Sequence, residues 1–290
     1  MRILQKARFA LVSIAKTFLF SLKAIYLNEL SKEKRTDLAV SLTTYGWRFN
    51  FVFITIETLL SQSVKPAAVY LWIFEGDKCS LITNWILMKQ EKRGLIIKRV
   101  KQDVKSYKKL SFMLDESNAK YTHVVTADDD VLYPKNWMKN FVEHPKFLSH
   151  VLCNRARVIS YDNFSNDLLP YKKWPLAKVS DNKEHAILPT GVSGICYPLR
   201  SLDKRISDFK AISNLCPFAD DIWYKLTTFA NGYDSYLIQD KVNHYPLVIT
   251  SLTKGLEKLN VLADLNDKQF LQSVNFFGLQ KIIFKKSMCK

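Results

Sequence analysis

Three consecutive aspartates, Asp128, Asp129 and Asp130, follow a run of β-forming residues and form the sharpest chemical feature of the sequence. Adjacent carboxylates repel one another, so the run favours a bound cation. In an extended chain Asp128 and Asp130 would point to the same side. Because Mg²⁺ is usually held by one or two carboxylates plus substrate phosphates, and Mn²⁺ accepts the same ligands, the run predicts a Mg²⁺ or Mn²⁺ site. The alternative is a solvated acidic turn.

A second acidic pair, Asp220 and Asp221, stands at the predicted start of a helix. Aspartate at a helix start is often only a cap, because its carboxylate accepts hydrogen bonds from backbone N–H groups. A carboxylate can also take a proton from a reacting hydroxyl group. The sequence pattern leaves both interpretations open.

Two further features could contact a ligand. Lys108 and Lys109 stand at the start of a predicted helix and could approach a phosphate or lie in solvent. Residues 189–194 (PTGVSG) carry two glycines, which permit positive φ and a close approach to the backbone. A plain tight turn has the same composition, so this segment is a candidate only.

These motifs resemble those of GT-A glycosyltransferases, in particular family-2-like members. The matching segments are residues 41–45 (SLTTY) with Arg48, residues 58–63 (TLLSQS) before a strand, and residues 128–130, similar to the DxD element, with Tyr133, Pro134 and Trp137 after them. The resemblance covers about residues 38–250. It implies an enzyme that uses a nucleotide-sugar donor and Mn²⁺ or Mg²⁺.

The resemblance also implies roles on the donor side. The base and ribose would contact Thr43, Thr44, Tyr45 and Arg48, and the diphosphate would lie near Lys108, Lys109, Asp128 and Asp129. The metal would be held by Asp128 and Asp130, with His244 as a third ligand. The family often carries an acid that reads uracil, and Glu57 and Asp77 are the candidates here.

On the acceptor side, the resemblance implies Asp221 as the base and Asp220 as its neighbour. The loop beneath the acceptor would contain Gly191, Ser193 and Gly194, with Trp223 nearby. We expect a glycan or lipid-linked acceptor, in the synthesis of bacterial surface polysaccharide or lipooligosaccharide, and inversion at the sugar carbon. A retaining transferase is the nearest alternative, because the same metal site serves both outcomes.

Alternating strands and helices position these residues. Apolar runs predict strands at 38–42, 69–74, 95–100 and 121–126, helices at 53–60, 81–93 and 109–118, and a helix opening at Pro134. Residues 151–200 are expected to be extended segments and loops, 217–230 a helix, and 235–238 and 247–249 short strands. The order predicts a GT-A-like α/β fold, with a Rossmann-like, mostly parallel sheet and flanking helices. Ligands of such sheets bind beyond the carboxyl ends of the strands.

Composition describes a folded, basic protein. With 290 residues and 48% hydrophobic residues, one large α/β domain is expected. The 43 basic against 27 acidic residues give a formal charge of +16, which requires an anionic partner if the charge has one. The five cysteines form no CxxC pair, so we expect reduced thiols and a cytoplasmic location. Nucleic acid is not an expected partner, because no recognised binding pattern accompanies the basic stretch 92–109.

Both ends of the chain are typical of membrane-surface segments. Within residues 1–30, Leu4, Leu11, Ile14, Phe18, Leu22 and Ile25 share one helical face, and Arg2, Lys6, Lys16 and Lys23 lie roughly opposite. Lys16 and Lys23 interrupt the apolar run, which argues against a spanning helix. Residues 256–290 repeat this basic and aromatic pattern around a transferase domain at 31–255. We therefore expect attachment to the anionic inner face of a membrane, the alternative being packing on the protein or a twin subunit.

Two other classes of protein remain as alternatives. A nucleotidyltransferase on a related sheet would usually show a glycine-rich, basic loop after the first strand, which residues 43–48 (TTYGWR) do not supply. A non-catalytic basic module that binds lipid or nucleic acid would not depend on Asp128 or Asp221. Its binding would weaken steeply with salt.

Overall fold

The computed structural model describes residues 3–27, 36–117, 120–162, 164–165, 167–182, 186–240, 245–251 and 265–283. The chain forms two compact units, each built from separate segments. Unit 1 comprises residues 1–113, 117–143 and 244–254, and unit 2 comprises residues 114–116, 144–243 and 255–290. This division falls inside the range 31–255 that the sequence suggested as one domain.

Unit 1 contains four parallel strands in the order β3–β2–β1–β4. The strands are β1 (Leu38–Thr43), β2 (Ala68–Phe74), β3 (Leu95–Val100) and β4 (His123–Ala127). Side chains of β1, β2 and β4 are buried almost throughout, as expected for parallel strands covered on both faces. The predicted α/β class with a mostly parallel sheet is confirmed.

The described helices of unit 1 are α1 (Ile3–Tyr26), α2 (Val52–Leu60), α3 (Leu81–Glu91), α4 (Lys108–Ser111) and α6 (Trp137–Val142). A short helix, α5 (Met113–Ser117), follows α4 after a turn at Phe112, so the single helix predicted at 109–118 is wrong. The helix predicted to open at Pro134 begins at Trp137, whose N–H bonds to the Pro134 carbonyl in a preceding turn. The strand predicted at 247–249 is also wrong: Leu247 forms an isolated bridge with Val131, and Ile249–Ser251 is a 3-10 turn.

Helix α1 packs on α2 and α3 through small and polar side chains. Ser13, Thr17 and Ala24 are buried, whereas Leu11 and Phe18 are 67% and 66% exposed. The predicted apolar face therefore points away from unit 1 and not into its core. Residues 5–26 are long and apolar enough to cross a membrane by length and composition, a weak indication near an N-terminus.

Unit 2 contains β5 (Val151–Cys153), which pairs antiparallel with β8 (Ile195–Pro198) and parallel with β9 (Ser235–Leu237). A separate antiparallel pair joins β6 (Ala156–Val158) and β7 (Ile187–Pro189). The described helices are α7 (Phe209–Leu215), α8 (Asp220–Ala230), α9 (Leu265–Phe276) and α10 (Gln280–Ile283). The helix predicted at 217–230 thus begins three residues later.

The described part of the C-terminal segment packs within unit 2. Phe277, Leu279 and Ile283 are buried, and Phe276 stacks on Trp223 of α8 with ring centroids 5.3 Å apart. This burial favours packing on the protein over the membrane-surface role expected for this segment. Residues 284–290 lie outside the described residues.

Candidate active site

The candidate site of unit 1 lies where the strand order reverses. The chain runs outward from β1 through β2 to β3 and then returns to β4 on the other side of β1. Open parallel sheets bind ligands at such a point, beyond the carboxyl ends of the strands. Leu42 pairs with Ala127, so the residues that follow β1 and β4 leave the sheet side by side. The predicted donor and metal residues follow these two strands.

Asp129 is buried beyond the carboxyl ends of β1 and β4. Its side chain is 5% exposed, and Arg48 Nη1 lies 3.2 Å from its Oδ1. The Thr44 hydroxyl donates to its Oδ2 at 2.6 Å, and the Thr55 hydroxyl donates to its backbone carbonyl at 2.9 Å. Burial raises the pKa of Asp129, although Arg48 and Thr44 act in the opposite direction. Asp129 is therefore a buried support of the loop, which corrects its expected role as a donor contact.

Asp128 and Asp130 are more accessible, with side chains 31% and 19% exposed. Lys109 Nζ lies 3.5 Å from Asp128 Oδ1, and the Arg48 guanidinium contacts Asp130. Asp129 and Asp130 form a turn, so the extended-chain argument for a common side-chain direction does not apply. The two accessible carboxylates instead contact different basic side chains, Lys109 and Arg48.

Asp128 and Asp130 alone do not complete the coordination shell of a divalent cation. Within the described residues, no group of three or more His, Cys, Asp or Glu side chains is placed to hold a metal. Asp128 and Asp130 can supply two oxygen ligands, and Mg²⁺ is commonly bound by one or two carboxylates with phosphate oxygens completing its shell. The donor set therefore suits a metal that arrives with a phosphate ligand. His244 lies outside the described residues.

Thr43 is the last residue of β1, and Thr44 and Tyr45 follow it. These three predicted donor contacts have different surroundings. The Thr43 hydroxyl donates to the Trp72 carbonyl at 2.9 Å, and Thr44 is fully buried against Asp129. Tyr45 is 43% exposed, and the Arg48 guanidinium lies 5.8 Å from its ring centroid. Tyr45 thus presents an accessible aromatic surface, as does Trp47, which is 47% exposed, while both threonine hydroxyls bond inside the unit.

Lys108 and Lys109 diverge. Lys109 points to Asp128, whereas Lys108, whose side chain is 1% exposed, contacts Asp103. The pKa of Asp103 is lowered by its hydrogen bond and charge contact with Lys108, which outweigh its partial burial. Lys108 is therefore corrected from a donor contact to a residue that holds the loop before α4.

The two candidates for an acid that reads the base also differ. Glu57 is fully buried and receives Arg93 Nη1 and Nη2 at 2.7 and 2.8 Å, with Gln90 Nε2 at 3.1 Å. Its carboxylate therefore stabilises the packing of α2 against α3 and does not face the loop after β1. Asp77 accepts a hydrogen bond from the N–H of Gly46, in the loop after β1, at 3.4 Å. Asp77 alone of the pair lies beside that loop.

Asp221 occupies the first turn of α8 in unit 2. Its Oδ2 accepts a hydrogen bond from the Gly191 N–H at 2.9 Å. The N-cap of α8 is Ala219, and Asp220 and Asp221 lie in its first turn, where a carboxylate also stabilises the helix through its dipole. Gly194 ends the Gly191–Ser193 turn with φ +92°, the left-handed region predicted for this loop. The structure therefore brings Asp221 and the expected acceptor loop together.

The sequence patterns did not reveal Tyr171, which senses the Asp221 charge, or the two arginines that act on Tyr171, Arg155 and Arg157. The pKa of Tyr171 is raised by burial and by the Asp221 charge, while Arg157 and Arg155 act to lower it. Arg155 Nη1 donates to Thr190 Oγ1 at 2.9 Å. Arginines two apart beside a short strand share a side, and that spacing was the available signal.

Trp223 and Ser193, two residues expected near the acceptor, have buried side chains. Trp223 is fully buried, its Nε1 donates to the Arg205 carbonyl at 2.9 Å, and its ring packs on Phe276. Ser193 is 3% exposed, and its carbonyl accepts from Asn154 Nδ2 at 3.2 Å. Trp223 is therefore a core residue, and Ser193 lies in the predicted loop with its side chain buried.

Similar structures exist, but no protein-family model and no curated protein matches the chain. The mannosyltransferase PcManGT from Pyrobaculum calidifontis, in complex with GDP-Man and Mn²⁺, is 13% identical with a TM-score of 0.49 over 97% of this chain and 79% of that one. S. aureus TarS 1-349 is 17% identical, with a TM-score of 0.46 over 87% and 75%. The 4-diphosphocytidyl-2C-methyl-D-erythritol synthase from Anaerococcus prevotii is 13% identical, with a TM-score of 0.47 over 80% and 96%.

Proposed function

We propose that this chain is a metal-dependent glycosyltransferase that moves a sugar from a nucleotide-sugar to a glycan or lipid-linked acceptor. The main supporting observation is that Asp128 contacts Lys109 and Asp130 contacts Arg48 beyond the carboxyl ends of β1 and β4. Two carboxylates alone would repel a diphosphate, whereas carboxylates with a divalent cation would attract it. The presence of both acidic and basic side chains at these strand ends supports a donor that binds together with a metal.

On the donor side we assign one task to each of the groups that surround Asp128 and Asp130. Asp128 and Asp130 would hold Mg²⁺ or Mn²⁺, which neutralises charge on the leaving diphosphate when bound. Lys109, 8% exposed beside Asp128, adds a charge-assisted hydrogen bond to the same phosphates. Tyr45 offers the aromatic surface on which a base can stack.

We assign proton removal to Asp221. The acceptor hydroxyl gives its proton to the Asp221 carboxylate as its oxygen bonds to the anomeric carbon. The bond from that carbon to the donor phosphate oxygen breaks, and the nucleoside diphosphate leaves with the electron pair. The Gly191 N–H bond to Oδ2 orients the carboxylate for this step. A single displacement inverts the anomeric carbon, and a retained configuration in the product would assign the retaining alternative.

The proposed setting is the cytoplasmic face of a membrane, in surface-polysaccharide synthesis. The exposed apolar face of α1 and the absence of Asp and Glu from that helix support attachment to an anionic surface. The enzyme and a lipid-linked acceptor would then be confined to the same membrane surface, which favours their encounter.

Metal-dependent release of nucleoside diphosphate from a panel of nucleotide-sugars tests the donor side. The wild-type protein is compared with Asp128→Asn/Asp130→Asn, and with Glu143→Gln as a control carboxylate whose side chain is 64% exposed. Turnover of one donor with Mn²⁺ or Mg²⁺, retained in the control and lost in the double variant, is the expected result. If no donor binds or turns over with either metal, even with membrane extract supplying acceptors, the proposal fails. Transfer of a nucleotidyl group would assign the nucleotidyltransferase alternative.

A matched pair of helix-start aspartates tests the base. Asp208 caps α7 by accepting the Ala211 N–H at 3.0 Å, whereas Asp221 contacts the Gly191 loop. Asp221→Asn should retain donor binding and lose transfer, and Asp208→Asn should keep both. Equal loss in the two variants would show that Asp221 acts through helix stability alone.

A further inference from the structure

Helix α3 exposes an apolar stripe that its sequence pattern alone does not explain. Leu81, Ile82, Trp85 and Met88 are 87%, 72%, 50% and 55% exposed. At about 100° per residue these positions share one face of the helix, where a surface helix normally carries polar residues. The opposite side buries Ile86, Leu87 and Gln90 in unit 1. Exposed apolar area of this extent on a soluble surface marks an interaction site.

Helix α1 presents a second apolar face while being held along unit 1. Its exposed large side chains are Leu11, Val12, Ile14, Phe18, Leu19, Leu22 and Tyr26. Thr17 Oγ1 accepts from the Ile249 N–H at 3.3 Å, and the carbonyl of Ile25 accepts from the Lys89 ammonium. Buried Ser13 and Ala24 add contacts on either side of Thr17. These contacts hold about three turns of α1 against the unit.

Lys89 joins the two apolar surfaces. It belongs to α3, bonds to the Ile25 carbonyl of α1, and lies 4.7 Å from the Trp85 ring centroid. The stripe of α3 therefore adjoins the end of the exposed face of α1. Tyr26 is 74% exposed at that end, so two aromatic side chains with polar tips flank the junction.

The charge of α1 indicates what kind of partner covers this apolar surface. Helix α1 contains no Asp or Glu, and Lys16 and Lys23 are half-buried at the border between its exposed and buried faces. Lys6 and Arg8 are exposed in its first turns. Basic residues at the border of an apolar face, with Trp and Tyr beside them, are the composition of helices that lie in the headgroup region of anionic membranes.

We infer that α1 and α3 together form one lipid-binding surface, with α1 lying in the plane of an anionic membrane and α3 inserting Leu81, Ile82, Trp85 and Met88 beside it. This inference deepens the proposed membrane attachment and rests on it, but does not require glycosyl transfer. It replaces a single-helix anchor with a two-helix surface. Because the contacts of α1 extend along unit 1, the helix attaches without crossing the bilayer.

Vesicle binding of the full chain tests the inference. Sedimentation with phosphatidylcholine vesicles, with and without about one third phosphatidylglycerol, is measured for wild type, Ile82→Glu/Trp85→Glu, and the control Leu148→Glu/Phe164→Glu. Leu148 and Phe164 are 65% and 93% exposed in unit 2, so the control introduces the same two charges on other apolar side chains. We expect wild type and control to bind the anionic vesicles, and the double variant to bind at least tenfold more weakly with an unchanged Tm.

Each other outcome overturns the inference. Equal binding by the double variant would leave α1 as the only anchor, and no binding by wild type would remove the membrane surface. A change from dimer to monomer in the double variant, without loss of vesicle binding, would make the stripe a subunit interface. Resistance of the membrane-bound protein to carbonate extraction would show that α1 spans the bilayer. Metal-dependent UDP or GDP binding, measured without vesicles, reports separately on the proposed function.

Discussion

The hydroxyl of Thr44 donates to Asp129 Oδ2 at 2.6 Å, and this bond ties the loop after β1 to the loop after β4. Thr44 is fully buried and the Asp129 side chain is 5% exposed, so the bond is shielded from water. It holds in place the two loops that carry the accessible carboxylates and the exposed Tyr45. The central aspartate of the acidic run is thus the one that organises the site.

Replacing Thr44 should destabilise the protein more than replacing its neighbour. Thr44→Val removes a hydrogen bond to a buried carboxylate and should lower the free energy of unfolding by about 1.5–3 kcal/mol. Thr43→Val removes a bond to the Trp72 carbonyl and should cost about 0.5–1.5 kcal/mol. Urea-induced unfolding gives both values. A smaller cost for Thr44→Val would show that Asp129 does not depend on this bond.

The two adjacent lysines should separate affinity from stability. Lys109→Met removes a charge beside Asp128 and should weaken Mn²⁺-dependent UDP or GDP binding about tenfold, the effect of about 1.4 kcal/mol. Lys108→Met breaks the contact with Asp103 and should lower Tm while leaving that affinity within twofold. Titration calorimetry and thermal unfolding measure the two effects. If both variants weakened nucleotide binding equally, Lys108 would also contact the donor.

The buried pair of Glu57 and Arg93 should behave as a coupled unit. Arg93→Met leaves the carboxylate buried without its bidentate partner and should cost about 3–5 kcal/mol. Glu57→Leu/Arg93→Met removes both charges and should recover most of that loss, because an apolar pair can replace a buried ion pair. Chemical unfolding of the single and double variants gives the coupling. Additive losses would contradict this account.

Lys225 should make stability depend on alkaline pH. Burial lowers its pKa from 10.5 to about 8, even though Asp234 lies 3.6 Å away. Between these values the unfolded state holds more protons, so the penalty for burying the charge is complete below about pH 8 and is relieved as the pH rises toward 10.5. The stability advantage of Lys225→Met over wild type should therefore shrink across that range.

Unfolding measured from pH 7 to pH 10 tests this, with Lys139→Met as the control. Lys139 is 45% exposed on its side chain, so its replacement should give a difference from wild type that is independent of pH. Taking differences removes the contribution of buried Cys153 and Cys196, whose pKa values are raised by burial so that they lose their protons in this range only in the unfolded state. A pH-independent difference for Lys225→Met would show that the ammonium is solvated in the folded state.

Much of unit 1 was predictable because its signals are local. Apolar runs separated by polar breaks marked β1, β2, β3 and β4 within two residues, since a buried parallel strand needs a continuous apolar segment. The acidic run was assigned to the end of a strand for the same reason. The single helix predicted at 109–118 and the strand at 247–249 failed, because turns and contacts with distant segments decided those regions.

The amino-acid sequence by itself determined the α/β class, the position of the carboxylates after β4, and the apolar and basic faces of α1. These features depend on periodicity and on neighbours along the chain. Only the tertiary structure decided which aspartate is buried, which lysine reaches Asp128, that Trp223 is a core residue, and that α3 exposes its apolar stripe. A side chain's partner and exposure depend on residues far away in the sequence, and folding alone brings those residues together.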